Sequence, residues 1–221
     1  MIELKSDEQK IKTIIDYYVL SNKLKDVVRS GWKIWGITRD RVESVAEHIY
    51  GTCMLAIAIW SETLPKVNLS HVLTMLVIHE TEEILIGDIT PFDSQAKQKI
   101  KASGIDAVKR VFSDFVAKDV YINIIKEFDE AKTPEAIFAK ECDKLESDLQ
   151  AKLYYDEGAL VYEKAGEIKN NELIKEYYSE YGPDVSKHFS KQDKHYYKKG
   201  DIFYKINEFL LNNNLKIKEN N

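Results

Sequence analysis

Three short stretches of this chain put metal-ligating side chains inside otherwise apolar, helix-like sequence. They are Val45-Ala-Glu-His48-Ile-Tyr, Leu76-Val-Ile-His79-Glu80-Thr-Glu-Glu83 and Ala139-Lys-Glu-Cys-Asp143-Lys-Leu. Ionisable groups within a core-like helix are costly to bury unless something compensates them. A shared divalent cation would compensate them together. Two imidazoles and two carboxylates form a mixed nitrogen and oxygen set, which suits Mn, Fe, Co, Ni or Zn better than Ca. The absence of thiolates argues against a structural zinc knot. Such an ion can polarise a phosphoryl oxygen and supply a hydroxide nucleophile near neutral pH. Taken singly, each residue has a plainer reading. A lone helical histidine is usually a hydrogen-bonded core or surface group, and Glu80, Glu82 and Glu83 can be a solvated face.

The elements that must position these groups are helices. Glycine (9) and proline (4) are scarce, valine-rich alternation is absent, and apolar residues recur at helical spacing. Segment 8–28 carries Ile11, Ile14, Ile15, Tyr18, Val19, Leu24, Val27 and Val28. Segment 42–62 carries Val45, Ile49, Cys53, Ala56 and Trp60. Ser70 is placed to cap a helix over 71–86, which Gly87-Asp-Ile-Thr-Pro91 then ends. Segment 94–118 reads as one or two more helices, and 119–130 as another. Thr133-Pro134-Glu135 reads as a cap followed by proline at the first helical position, opening a helix to about 156. Further helices are expected over 159–180 and 201–212. The fold class is all-α: a helical domain over 1–165, C-terminal helices over 166–212 packed on it, and a frayed tail over 213–221.

Composition narrows the function classes. The chain has 221 residues, 44% hydrophobic and 31% charged, with a net charge of -5. An acidic excess argues against a nucleic-acid polymer as partner, though a local basic pocket for one phosphate ester stays open. No apolar run approaches the roughly 18–20 residues that cross a bilayer. The charged start Met1-Ile-Glu-Leu-Lys-Ser-Asp lacks a signal peptide's apolar middle, so a cytoplasmic location is the expectation. Cys53 and Cys142 belong to no CxxC pair and read as packed small hydrophobes. His71, His188 and His195 read as non-catalytic. The tyrosines at 154, 155, 177, 178, 181, 196, 197 and 204 read as packing or a subunit interface, not a base-stacking platform.

Context raises the metal reading above the plain one. Arg29-Ser-Gly-Trp32, then Glu43-Ser-Val-Ala-Glu-His48-Ile-Tyr, then His79-Glu-Thr-Glu-Glu83-Ile-Leu-Ile-Gly-Asp88-Ile, then Asp143-Lys-Leu-Glu, resembles the HD-domain superfamily of metal-dependent phosphohydrolases, within it the 5'-deoxynucleotidase branch. Order and spacing match across roughly 29–157. The resemblance implies an HD-type helical bundle holding one divalent transition metal through His48, His79, Glu80 and Asp143. Glu80 stands where the family has aspartate. It keeps the carboxylate but sets it one methylene further out, so the backbone or the coordination geometry must differ. The resemblance further implies Glu83 as general base or water-orienting group, and Asp88 in proton transfer to the leaving oxygen or in substrate orientation. Arg29 is the implied phosphate clamp, its forked donors suited to phosphate oxygens. Trp32 is a candidate wall for sugar or base, or else core beside Trp35. The implied substrate is a nucleoside 5'-monophosphate, and a homodimer is a further expectation. Two alternatives stay open: an HD phosphohydrolase acting on a phosphodiester or pyrophosphorylated nucleotide, or a non-catalytic metal- or nucleotide-binding protein.

Overall fold

The computed structural model describes residues 5–89 and 104–215, and those residues form a helical bundle. The helices are α1 Asp7–Ser21, α2 Ser30–Ile34, α3 Val45–Thr63, α4 Leu69–Ile78, α5 Glu83–Ile86, α6 (104–111), α7 Lys118–Glu130, α8 Pro134–Asp156, α9 Glu172–Tyr181, α10 Val185–Asp193 and α11 Ile202–Asn212. Short 3-10 turns follow α1, α8 and α10. Among the described residues the one extended pairing is an isolated antiparallel bridge between Val28 and Ser44. It matters to the site, because it lays Arg29 alongside Glu43 just before α3 begins (Arg29 N to Glu43 O, 3.0 Å).

Local chemistry sets the helix bounds. Ser44 and Glu47 form a capping box that starts α3, so His48 sits one turn inside it. Thr133 caps α8 with Pro134 at the first helical position, as the sequence predicts. The expected helix over 71–86 differs at both ends. Its cap is Asn68, whose side chain accepts from His71 N, and not Ser70. It stops at Ile78, and residues 79–82 form a turn before the single turn of α5. The reason is side-chain competition at the C-terminus. Thr81 Oγ1 donates to Ile78 O at 2.6 Å, and His79 Nδ1 donates to Leu76 O at 2.7 Å.

Two further expectations change. The helical pattern over 8–28 ends at Ser21, and its last part becomes a 3-10 turn and the extended residues that meet Ser44. The helix expected over 159–180 is confined to Glu172–Tyr181. Backbone groups before it are committed elsewhere, with Ala159 O accepting from Thr38 N and Gly166 N donating to Ile34 O. Helix α10 was not expected as a separate element. Residues 94–103 of the helical segment 94–118, Thr90 and Pro91 of the break, and 216–221 of the tail lie outside the described residues.

Helix α8 runs through the middle and packs against α3, α4, α7, α10 and α11. One apolar core joins Ala56, Ile59, Val72, Met75, Leu76 and Leu145 with Phe203 and Leu210 of α11. Cys142 lies in this core and Cys53 packs against it, both as free thiols. A second core gathers Trp32, Trp35, Tyr154, Leu160, Ile174, Tyr177 and Val185. The C-terminal helices are also tied to α8 by a buried polar node: Asp148 Oδ2 accepts from Tyr197 Oη at 2.8 Å and from Asn207 Nδ2 at 2.9 Å. Burial, and then Asp193, push the Asp148 carboxyl well above its usual range.

The turn after α2 is where a backbone close approach fixes a residue type. Gly36 has φ of +65°, and a Cβ there would lie 2.4 Å from Lys164 O. Gly36→Ala should therefore lower unfolding stability by ~2 kcal/mol or more, combining left-handed backbone strain with a clash against main chain. Urea unfolding monitored by circular dichroism reads this directly; an unchanged midpoint would rule out the close approach.

Candidate metal centre and substrate cleft

Two helices and one turn converge at the site. Helix α3 contributes His48, the turn after α4 contributes His79 and Glu80, and α8 contributes Asp143. His48 is fully buried, with His79 and Asp143 each at 4% exposure. Their atoms converge: His48 Nε2 lies 3.1 Å from Asp143 Oδ1 and 3.7 Å from Glu80 Oε1. His79 Nε2 lies 3.3 Å from Glu80 Oε1 and 3.5 Å from Asp143 Oδ1. One ligand atom from each of the four lies within 4.8 Å of the others.

The donor set fits a cation on the behaviour of the two rings. Each imidazole has its Nδ1 occupied from behind: His48 by Glu146 Oε2 at 2.5 Å, His79 by the Leu76 carbonyl. A carbonyl can only accept, so His79 Nδ1 carries a proton and its Nε2 faces the cluster. That Nε2 is buried with no hydrogen-bond partner among the described residues. Such an arrangement is how metal-binding histidines have their tautomer fixed. Glu80, with its extra methylene, is presented from a turn and not from a helix interior.

Electrostatics tell the same story. Burial alone would lower the His79 pKa, yet Glu80 and Asp143 hold it up at about 10. Despite burial, the imidazoles keep Glu80 well below the usual carboxylate range. Asp143 is likewise held low against burial, chiefly by Lys144, whose Nζ sits 3.0 Å from Oδ2. The cluster therefore demands positive charge, supplied either by protons on the imidazoles or by a cation that displaces them.

The other candidates surround a cleft of about 410 Å³ lined by Arg29, Trp32, Glu80, Glu83, Asp88 and Asp143, among others. Arg29 Nη2 donates to Ser147 Oγ at 3.0 Å, and Nη1 is 3.7 Å from Glu80 Oε1. Burial works against its charge, but Glu80, Glu43, Glu146 and Asp88 more than offset this and keep it protonated. Glu83 Oε2 is buried without a partner among the described residues. Burial first, then Glu80 and Asp88, push its carboxyl up to about 11. Asp88 follows Gly87 at the end of α5, and its Oδ2 accepts from Ser30 N. Trp32 is 2% exposed, donates from Nε1 to Glu43 Oε2 at 2.6 Å and stacks on Phe189. It borders the cleft while belonging to the second core.

Sequence reading passed over several groups that the structure brings here. Glu146 and Ser147 follow Asp143 by three and four residues, on the same face of α8, and helical spacing would have found them. His188, Phe189, Gln192, Asp193, His195 and Tyr196 also line the cleft. His188 is buried, with Nε2 hydrogen-bonded to Gly182 O at 3.0 Å, which is a packing role. His71 stands apart, paired with Glu127 at 2.9 Å.

A helical bundle with this buried His/carboxylate cluster defines a class of metal-site protein, and comparison gives the particular family. The HD domain profile matches residues 21–181, and the chain belongs to that family. Among curated relatives, the 5'-deoxynucleotidase of Danio rerio is 31% identical over 144 residues, covering 64% of this chain and 69% of the relative. The 5'-deoxynucleotidase of Dictyostelium discoideum is 28% identical over 148 residues, covering 63% and 76%. Among solved structures, a conserved hypothetical protein from Pyrococcus furiosus superposes with a TM-score of 0.58 at 26% identity, over 80% of this chain and 99% of that one.

Glu80 generates the sharpest test of the cluster. Glu80→Asp should keep metal affinity within about tenfold, roughly 1.4 kcal/mol. Glu80→Gln should lose it clearly, because a neutral amide is a poorer ligand and leaves the ion's charge less compensated. Isothermal titration of one divalent metal into apo wild type and both variants measures this. Equal affinity in all three would remove the carboxylate from the site.

Proposed function

We propose that the chain is a metal-dependent phosphomonoester hydrolase acting on nucleoside 5'-monophosphates, with 2'-deoxynucleotides as the first to test. The observation that carries this is the convergence of four ligand atoms, two of whose residues, Glu80 and Asp143, line one cleft together with Arg29, Glu83 and Asp88. The relatives named as 5'-deoxynucleotidases support the substrate class. His48, His79, Glu80 and Asp143 would hold one divalent transition metal, from among Mn, Co, Fe, Ni and Zn. When bound, such an ion polarises a phosphoryl oxygen and makes a water nucleophilic near neutral pH.

The chain's own residues divide the remaining work. Arg29 is held between Ser147 and Glu80 with its fork facing the cleft border, where it binds and neutralises the phosphate. The raised Glu83 carboxyl would be drawn back toward ionisation by the positive charge of a bound cation, so that Glu83 would accept the proton of the attacking water as the new oxygen–phosphorus bond forms. The bond from phosphorus to the 5'-oxygen breaks, and the alcohol leaves with a proton that Asp88 is placed to relay. Ser30 N–H fixes the Asp88 carboxylate for that purpose. Glu146 keeps the His48 ring in one orientation. The reaction needs no covalent enzyme intermediate.

The test is a phosphate-release screen over ribo- and deoxynucleoside mono-, di- and triphosphates, with Mn, Co, Mg, Ni and Zn added separately. Monophosphates should be the fastest. Arg29→Ala should lower kcat/KM by about 2–4 kcal/mol, chiefly through KM, as expected for a buried charged contact. Unchanged kinetics in that variant would take Arg29 out of the site, and no turnover of any monophosphate would overturn the function.

A further inference from the structure

The substrate cleft has two walls of different origin. One carries Glu80 and Asp143 of the ligand cluster with Arg29, Glu83 and Asp88. The other comes from α10 and the 3-10 turn Lys194–Tyr196, which lie beyond residue 181, where the HD domain match ends. Phe189 fastens this second wall. Its ring stacks on Trp32 with centroids 5.2 Å apart and planes at 27°, and lies 6.0 Å from Trp35. The wall is therefore held in a fixed place relative to Arg29, three residues before Trp32.

Two features of this wall face the cleft. Asp193 is 7% exposed and borders the cleft, where the Lys144 charge acts on its carboxylate. Its carboxylate borders the cleft as an acceptor that a ligand's donor can reach. Beside it, the His195 and Tyr196 rings stand 4.1 Å apart at 38°. Tyr196 is 42% exposed, and Lys144 Nζ lies 5.7 Å from its ring centroid. The backing imidazole is itself anchored, with Nδ1 2.8 Å from Gln192 O. An acceptor beside a partly exposed aromatic ring matches the part of a nucleotide that the phosphate clamp leaves untouched. A 2'-deoxynucleotide presents one sugar hydroxyl, the 3', and one π-face, the base.

We infer that α10 and the turn after it form the nucleoside-recognition wall, with Asp193 accepting from the 3'-hydroxyl and Tyr196, backed by His195, stacking the base. This rests on the nucleotidase reading above. It assigns specificity to a segment outside the matched HD domain, while the phosphate chemistry stays within it. Base–aromatic stacking tolerates any base, so this wall distinguishes a nucleotide from a simple phosphate ester without selecting one base strongly.

The experiment compares kcat/KM for a 2'-deoxynucleoside monophosphate, its 2',3'-dideoxy analogue and the abasic 2-deoxyribose 5-phosphate, with one divalent metal held constant. Wild type should favour the full nucleotide over both analogues. Tyr196→Ala should narrow the nucleotide-to-abasic ratio about tenfold, and Tyr196→Phe should keep it, since the ring and not the hydroxyl does the stacking. Asp193→Asn, close in shape, should narrow the preference for the 3'-hydroxyl about tenfold and leave the abasic ratio alone. Tyr196 is exposed, so its variants fold even if Asp193→Asn does not. Turnover by wild type with the Tyr196→Ala ratio unmoved overturns the wall alone. No turnover of any of the three esters overturns the nucleotidase reading and the wall with it.

Discussion

Four ionisable groups packed behind one another in a helical core need positive charge at their centre, and much of the structure answers to that constraint. His48, His79 and Asp143 are nearly inaccessible to solvent, and Glu80 reaches in between them. Removing such charges from water costs several kcal/mol each unless they are compensated. Protons on the imidazoles can compensate them, as the high His79 pKa records. A divalent cation does so more completely, because each ring has its other nitrogen already committed and turns Nε2 inward.

Helix α8 organises the response. Along one of its faces, Asp143 enters the cluster, Glu146 holds His48 from behind, and Ser147 holds Arg29. Spacings of three and four residues put all three on a single stripe. Helix α3 matches it. Its capping box sets the depth of His48, and Gly51, one turn on, leaves room for Glu146: a Cβ there would lie 2.5 Å from Glu146 Oε1. The same helix α8 carries Asp148, which ties down Tyr197 and α11, so the C-terminal layer is anchored to the helix that builds the cluster.

Helix content and the start of α8 were legible in the sequence, because apolar spacing and capping residues carry that information locally; the grouping of His48, His79, Glu80 and Asp143 was expected from the family resemblance and not from local pattern. The break after Ile78 was not. It depends on Thr81 and the His79 ring taking the carbonyls of Ile78 and Leu76, a competition that periodicity does not register. Glu146 was visible in the string Asp143-Lys-Leu-Glu, but its partner on α3 was not. The lining by Gln192, Asp193, His195 and Tyr196 was illegible for a tertiary reason. It follows from Phe189 docking on Trp32, a contact across more than 150 residues of chain. Of the C-terminal tyrosines, read as packing or a subunit interface, Tyr177 and Tyr197 are buried, whereas Tyr196 is 42% exposed and borders the cleft.

Anomalous diffraction from crystals grown with one transition metal, collected at that metal's absorption edge, tests the central claim most directly. The account predicts a single strong peak per chain at ordinary coordination distances, ~2.0–2.2 Å, from His48 Nε2, His79 Nε2 and the Glu80 and Asp143 carboxylates. A peak instead among Glu43, His48 and Glu146, a second buried set of metal-ligating groups among the described residues, would contradict it. So would a fully loaded crystal with no peak at either place.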